Sequence, residues 1–390
     1  MNRTWTNGVS SRRDGLALLS GDERRVVVPV LRERFARLLA RAGVALDGGR
    51  PCDVRVCDER LFRRVALQGT LGLGEAYVDG WWECERLDEL AARLLGADVD
   101  RSLASLAGAW SEIAARLVRL PRLARDLETG PRHQDVGNDL FCAMLGARRV
   151  ATCGYWKDAH TLDEAQEAAL DLICRKLQFK PGMRVLDLNC GLGGAARFAA
   201  ERYQVEVVGL TESTEQARAA RDHCAGLPVA IQIQGYRELE GYYDAALSLG
   251  VLEHLDRRQH RNYLEIVRDH LSDDGLFLLQ CLGTVRSDGA HDFPCSLLPS
   301  SAGLCRALED VFVFEDWHNF GADYDRTLLQ WHSNFEEAWP ALAPRYGERF
   351  HRLWRYYLLT YAGAFRARRA QAWQVVLSPR GVAGGYRSLR

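Results

Sequence analysis

The stretch that most constrains the fold is VLDLNCGLGG, residues 185–194, an apolar run that meets an acid and then breaks into glycines. Such a run reads as a buried strand feeding a tight turn, with a helix opening at 194–203. The rest of this half of the chain repeats the alternation. A helix over 162–178 precedes PGMRVLDL, and QVEVVGL, VAIQIQ, YDAALSLGV and LFLLQCL read as further strands. STEQARAARDHCAG and RNYLEIVRDHLSDDG read as helices, the second stopped by its glycine. Strands and helices alternating at this spacing predict an α/β fold with a parallel, doubly wound sheet. Ligands of such sheets sit at the carboxyl ends of the strands near the switch point, where 187–194 falls.

Gly191 and Gly193 let backbone amides come close to a ligand. Asn189 stands where a third glycine would, and asparagine is the side chain best able to take a positive φ, so the expected loop shape survives it. A dinucleotide fingerprint needs a last glycine to seat a pyrophosphate over the helix. D-x-N-x-G-x-G instead resembles the D/E-x-G-x-G-x-G loop of S-adenosylmethionine-dependent methyltransferases, whose cofactor carries no phosphate. On this reading Asp187, Asn189, Gly191 and Gly193 bind cofactor, Glu212 suits ribose hydroxyls, and Tyr236 flanks the adenine. The competing reading is a tight strand–helix turn in another α/β protein.

With 390 residues the chain is about twice a usual domain, so two domains are expected. PVLRERFARLLARAG (29–43) has helical apolar spacing ended by Gly43. GTLGLGEA lacks the lysine and the strand-to-helix context of a phosphate loop and reads as a turn. A helical stretch continues to about 128, made basic by Arg116, Arg119, Arg122 and Arg125 and interrupted at Pro121. ETGPRHQDVGNDLF reads as a linker or ordered loop, and His133 and Asp135 within it are as fit for structural hydrogen bonds as for chemistry. The expected division is a smaller, mainly helical domain over 1–128 and the α/β domain over 129–390.

Eleven cysteines without a CxxC pair argue against a zinc knuckle or redox dithiol, and scattered thiols suit a reducing cytoplasm. The opening residues show no signal-peptide core, and no run of about eighteen apolar residues occurs. Net charge is −1, yet residues 345–390 hold ten arginines against one acid, Glu348, interleaved with Trp354, Tyr356, Tyr357, Phe365 and Trp373. Such a face suits an anionic surface. The plain alternative is a set of arginines whose acidic partners lie elsewhere in the fold.

HQDVGNDLF (133–141), ATCGYWKDA (151–159), LTESTEQ (210–216), LEH (252–254), EDWHNFGADYD (315–325) and YYLLTYAGAFRAR (356–368) together resemble the cyclopropane fatty acid synthase family. GTLGLGEAYVDGWWECERLD (69–88) resembles its bacterial phospholipid-modifying members, and the similarity runs in collinear order over about residues 35–390. The resemblance implies a class I methyltransferase domain that uses S-adenosyl-L-methionine to add a methylene to the cis double bond of an unsaturated phospholipid acyl chain. It implies a bicarbonate pocket at Cys153, Glu253, Gln280, the backbone of Leu282, and Tyr324. It also implies cofactor contacts from Tyr155, Thr211 and Gln216, so that Gln216 competes with Glu212 for the ribose. Peripheral docking on an anionic phospholipid membrane from the cytoplasmic side follows, with a homodimer as a further candidate partnership and no role for nucleic acid. Trp317 and His318 are expected to be packing residues.

Four departures stand out, one of them the glycine loop itself, with Asn189 and Leu192. Position 280 holds glutamine where the family has histidine; glutamine can bind an anion but cannot change charge with pH. Positions 151 and 152 are alanine and threonine in place of tyrosine and serine. SDGAHDFPCSLLPS keeps FP and LPS but lacks the aromatic-basic stretch before them. These leave two alternatives to cyclopropanation: a related C-methyltransferase giving a methylated or methylene product, and a non-catalytic relative that binds lipid.

Overall fold

The computed structural model describes residues 21–106, 137–285 and 298–390. Arg116 to Arg125, Pro121, His133, Asp135, most of SDGAHDFPCSLLPS and the expected 128/129 boundary lie outside the described residues.

The sheet is built as the alternation predicts. Strands β3 (Arg184–Asp187), β4 (Glu206–Thr211), β5 (Val229–Ile233), β6 (Tyr243–Leu249) and β7 (Leu271–Thr284) run parallel. Two strands that the sequence reading did not separate, β8 (Val313–Asn319) and β9 (Ala370–Ser378), complete it, both in antiparallel pairings. The order β5-β4-β3-β6-β7-β9-β8 makes a mixed seven-stranded sheet rather than a wholly parallel one. The order of strand addition reverses between β3 and β6, which are parallel neighbours, and the glycine loop leaves the carboxyl end of β3 at that switch point. Helices α6 (Leu162–Lys176), α7 (Gly194–Tyr203), α8 (Thr214–His223), α9 (His260–Asp269) and α10 (Ser301–Leu308) belong to this half, after the short α5 (Asn138–Leu145). Thr161 opens α6 with a complete capping box to Glu164, which fixes where the chain turns from loop to helix. Helix α9 stops at Asp269. LSDDG is not its end but the first part of β7, where pairing with β6 jumps from Tyr243/Leu271 to Ala245/Leu276 across a bulge.

The N-terminal half is helical, as expected: α1 (Gly21–Arg41), α2 (Arg60–Val78), α3 (Leu87–Gly96) and α4 (Val99–Leu106), with the small pair β1 (Arg55–Val56) and β2 (Trp82–Glu83). GTLGLGEA is not a turn. It lies inside α2, where Gly69 (φ 57°) makes a kink and the helix resumes. Leu73, Ala76 and Tyr77 from this segment are buried, so its apolar spacing is a helix face that glycines disguise. The long α11 (Gly321–Arg366), itself kinked at Gly347, ties the halves together. Its Tyr356 and Leu359 pack in the core of the N-terminal helices, while Phe335, Leu358 and Phe365 pack with Cys153 and Trp156 beside the sheet.

The arginine-rich end serves the fold. Arg345 pairs with Asp139, Arg349 with Asp79, Arg352 with Glu83, Arg366 with Asp88 and Asp325, Arg369 with Asp98, Arg380 with Asp273, and Arg390 with Asp316. Arg355 donates to the Glu85 carbonyl. Most of these arginines thus have acidic partners from other elements, while the Arg345, Arg349, Arg380 and Arg390 side chains stay exposed. The ten described cysteines are free thiols, and among the described residues no helix is long and apolar enough to cross a membrane.

Candidate active site

The loop after β3 has the geometry a close-approaching ligand needs. Gly191 takes φ 51° and Gly193 φ 84°, conformations that side chains rarely adopt. A Cβ at Gly191 would meet nothing within 4 Å, whereas one at Gly193 would lie 2.9 Å from Cys224 Sγ and 3.2 Å from Ala220 Cα. Gly191 therefore faces open space, and Gly193 lets α8 close on the loop. Asn189 does not use the positive φ expected of it; it is absent from the left-handed residues, and its Nδ2 donates to the Leu249 carbonyl on β6 at 3.4 Å. The side chain is kept by a hydrogen bond across the switch point.

Asp187 is fully buried, and burial pushes its carboxyl up to about 7, against the pull of the Asn189 N–H at 3.3 Å. Its Oδ2 has no hydrogen-bond partner among the described residues. The Tyr236 hydroxyl is likewise buried and unpartnered, with its ring edge-on to Tyr263 at 4.9 Å and Arg237 over its face. Two orphaned polar atoms beside a left-handed glycine loop fit a polar ligand such as S-adenosylmethionine. At the end of β4, Thr211 Oγ1 donates to Gln216 Oε1 at 3.0 Å, and Ser213 caps α8. Glu212 is exposed and its carboxylate lies over Gly235, while Gln216 is tied to Thr211. Tyr155 packs edge-on to Phe320 at 5.6 Å and His318 at 6.0 Å.

One strand over, the carboxyl end of β7 gathers the second set. Gln280 pairs with Leu249 in the β6–β7 register, and its carbonyl accepts from Gly250 N at 3.0 Å. The cofactor loop and position 280 thus meet at one level of the sheet, Leu249 receiving Asn189 on one side and facing Gln280 on the other. The Gln280 amide nitrogen donates to Thr152, next to Cys153. Leu282 N donates to Glu253 Oε1 at 3.3 Å. Tyr324 packs on Phe365 (4.8 Å) and Trp331 (5.8 Å) close to Cys153, Glu253 and Tyr357. Cys153, Glu253, Leu282 and Tyr324 share one neighbourhood, which Gln280 borders through Thr152. Burial drives the Tyr324 hydroxyl and the Cys153 thiol far above their usual ranges, so both remain protonated at neutral pH. The Cys153 thiol donates to the Gly154 carbonyl at 3.2 Å, so the Tyr324 O–H and the Gln280 amide N–H are the donors that could meet a small anion beside the Glu253 carboxylate.

Three further residues escaped the sequence reading: Thr152 as a partner of Gln280, Gln374, and Lys176. His318 is more than packing, because its Nδ1 meets Lys176 Nζ at 3.2 Å. Nothing in the motif pattern marks them; the one cue is a lysine in the last turn of an otherwise core-facing helix.

Comparison with known proteins extends this geometry. Residues 122–375 match the family described as mycolic acid cyclopropane synthetase. The cyclopropane-fatty-acyl-phospholipid synthase of Escherichia coli (strain K12) is 46% identical over 361 residues, covering 90% of this chain and 94% of that protein. A probable fatty acid methyltransferase of Pseudomonas putida is 32% identical over 263 residues, covering 62% of this chain and 66% of that one. Among solved structures, the cyclopropane synthase MmaA2 from Mycobacterium tuberculosis superposes with a TM-score of 0.59 at 24% identity, covering 63% of this chain and 95% of its own, a likeness of fold.

Proposed function

This chain belongs to the mycolic acid cyclopropane synthetase family, and from that premise we propose that it forms cyclopropane rings on the unsaturated acyl chains of membrane phospholipids, with S-adenosylmethionine as donor. The observation that carries the reading is the meeting of Asn189, Leu249 and Gln280 at the switch point, which sets the glycine loop beside the five-residue pocket.

Bound S-adenosylmethionine supplies a methyl group activated on a sulfonium. Gly191 and Gly193 admit it to the backbone, Asp187 and Tyr236 offer polar atoms, and Glu212 takes the ribose. The Glu253 carboxylate and the Tyr324 ring face the charge that develops on the alkene carbons, where anionic and π groups lower a cation's energy. Cys153, Glu253, Gln280, the backbone of Leu282 and Tyr324 would hold bicarbonate, which would supply a base for the proton lost on ring closure. Apolar walls from Trp331, Phe365 and Leu358 exclude water that would trap a cation.

The N-terminal helices, within residues 1–128, act as the docking lobe and residues 129–390 as the catalytic domain; a core around Leu61, Phe62 and Trp82, completed by Tyr356 and Leu359 of α11, supports the division. Because the substrate bond lies within a bilayer, the enzyme works at an anionic phospholipid surface. Expression in a host lacking its own synthase tests the function. A gain of one CH₂ per unsaturated chain with loss of the double bond is expected, and unchanged lipids in well-expressing cells would sink the reading. Gln280, which takes up no proton, favours a second reading in which the cation is diverted to a methylated or methylene product; NMR of the lipid distinguishes an isomeric alkene from a ring.

A further inference from the structure

We propose that Lys176, acting through Gln374, sets the direction of the Gln280 side-chain amide, so that the pocket meets N–H rather than C=O at position 280. The inference rests on the reading of Cys153, Glu253, Gln280, Leu282 and Tyr324 as an anion-holding pocket.

Lys176 ends α6 with no solvent exposure. Its ammonium has three hydrogens and no acceptor. Its three neighbours are Gln374 Oε1 at 3.0 Å, His318 Nδ1 at 3.2 Å and Asp316 Oδ2 at 3.6 Å. A donor-only group forces its neighbour: Gln374 must offer its carbonyl oxygen and keep its NH₂ for the other side. That NH₂ donates to Gln280 Oε1 at 2.8 Å. Gln280 must therefore accept there, and its own NH₂ turns to Thr152 Oγ1. The two ends of an amide are nearly identical in shape, so packing alone does not choose between them. Here a buried cation at the far end of the chain chooses. One Gln280 hydrogen goes to Thr152 and the second is left for an anion.

The surroundings keep the lysine in this role. From β8, Asp316 faces it and is also held by Arg390 and Ser388. His318 is pushed down to about 4 by burial and by Lys176, so its neutral Nδ1 accepts. The Phe320 ring lies 5.5 Å from Nζ, Tyr386 donates to the Lys176 carbonyl at 2.8 Å, and Tyr155 backs His318. Burial lowers the lysine to about 8. A neutral amine can accept as well as donate, so above about pH 8 the direction of the chain is no longer enforced.

The test is a bicarbonate titration of the full-length enzyme at saturating S-adenosylmethionine on dioleoyl phosphatidylethanolamine/phosphatidylglycerol vesicles. Two variants act differently. Lys176→Met removes the donor; Gln374→Glu keeps a partner for the lysine but offers only acceptors to Gln280, which must turn its NH₂ away from the pocket. Each is expected to raise half-saturating bicarbonate roughly tenfold, the scale of one lost hydrogen bond to a charged group, with KM for S-adenosylmethionine unchanged. The native enzyme should lose bicarbonate affinity as pH rises through about 8, and Lys176→Met should lose that limb. Reduced turnover with native bicarbonate half-saturation in either folded variant means a merely structural role and overturns the inference. If Lys176→Met does not fold, Gln374→Glu decides alone. Cys153→Ala and Glu253→Gln in the same assay separate the two claims. If they leave bicarbonate dependence untouched, the pocket reading falls; if they shift it while both relay variants do not, the relay falls by itself.

Discussion

Arg366 Nη1 and Asp88 Oδ2 meet at 2.7 Å, joining the last turn of α11 to the start of α3. The same guanidinium grips both oxygens of Asp325 at 3.0 Å, so one arginine holds the N-terminal helices, the long helix and the Tyr324 turn in a single arrangement. Asp88 is almost wholly buried. Burial alone would raise its carboxyl, but hydrogen bonds from Arg86 and Arg366 outweigh it and hold the group well below the usual carboxylate range. Asp88→Ala leaves Arg366 without that charge and is expected to destabilise the fold by about 3 kcal/mol. Asp325→Asn, at a more accessible site, should cost about 1–2 kcal/mol. A depressed folded pKa gives stability that is present above the unfolded value near 4 and is lost as pH falls below it. Denaturant unfolding at neutral pH and again near pH 3 checks both points: the gap between native protein and Asp88→Ala should shrink in acid.

The two loop glycines should fail in different ways. Gly191→Ala points a methyl group into open space at φ 51°, so folding loses only about 1–2 kcal/mol for the left-handed conformation. The methyl group enters the space proposed for the cofactor, and S-adenosylmethionine binding should weaken tenfold or more. Gly193→Ala drives a methyl group into Cys224 and the Ala220 backbone, so it should lower the melting temperature further than Gly191→Ala. Thermal unfolding with and without cofactor separates them. Equal melting temperatures in the two apo variants would contradict this account.

Local signals exposed the half of the fold that local chemistry writes. Strands β3 to β7 and the glycine loop are legible because buried parallel strands are apolar runs and the turn needs glycine. Strand β9 stayed hidden because AQAWQVVLS follows Arg366, Arg368 and Arg369 within a basic stretch, and the pairing that makes it a strand comes from β7, about ninety residues away. GTLGLGEA misled because three glycines outweighed the helical spacing of Leu73, Ala76 and Tyr77. The arginines looked like one basic face because partners such as Asp79, Glu83 and Asp88 lie some 270 residues upstream. Asn189 keeps its place in the loop through a carbonyl on β6 rather than through a φ angle. Position 280 was visible as a departure, but its partner Gln374 is a contact that only the folded sheet creates.

Asp187 gives the loop a measurable pH signature. Its folded pKa near 7 lies above the unfolded value, so the folded chain binds this proton more tightly and stability falls as pH rises from about 4 to about 7. The penalty is of order 4 kcal/mol if the carboxyl ionises without a partner. A cationic sulfonium nearby favours the ionised form, so cofactor binding should release a proton below pH 7 and tighten as pH rises through 7. Calorimetry in buffers of different ionisation enthalpy measures that proton directly. Asp187→Asn should remove both the release and the slope of melting temperature against pH. Proton release that persists in the variant would assign the effect to another group.

Gln280→His restores a titratable side chain at the end of β7. The imidazole can accept from Gln374 Nε2 with one nitrogen and face Thr152 with the other, so the buried hydrogen bonds around it remain made. Cyclopropane yield should equal or exceed that of the native enzyme. The pH profile should gain a limb below neutrality, since histidine takes up a proton there and glutamine does not. Gln280→Leu keeps the volume but strands the Gln374 amide and the Thr152 hydroxyl in an apolar setting, and activity should fall at least tenfold. The two variants together isolate polarity from shape at one position. Complete loss of activity in Gln280→His, with folding and S-adenosylmethionine binding intact, would mean that the pocket requires the amide itself at position 280 and would overturn the role given to a titratable group there.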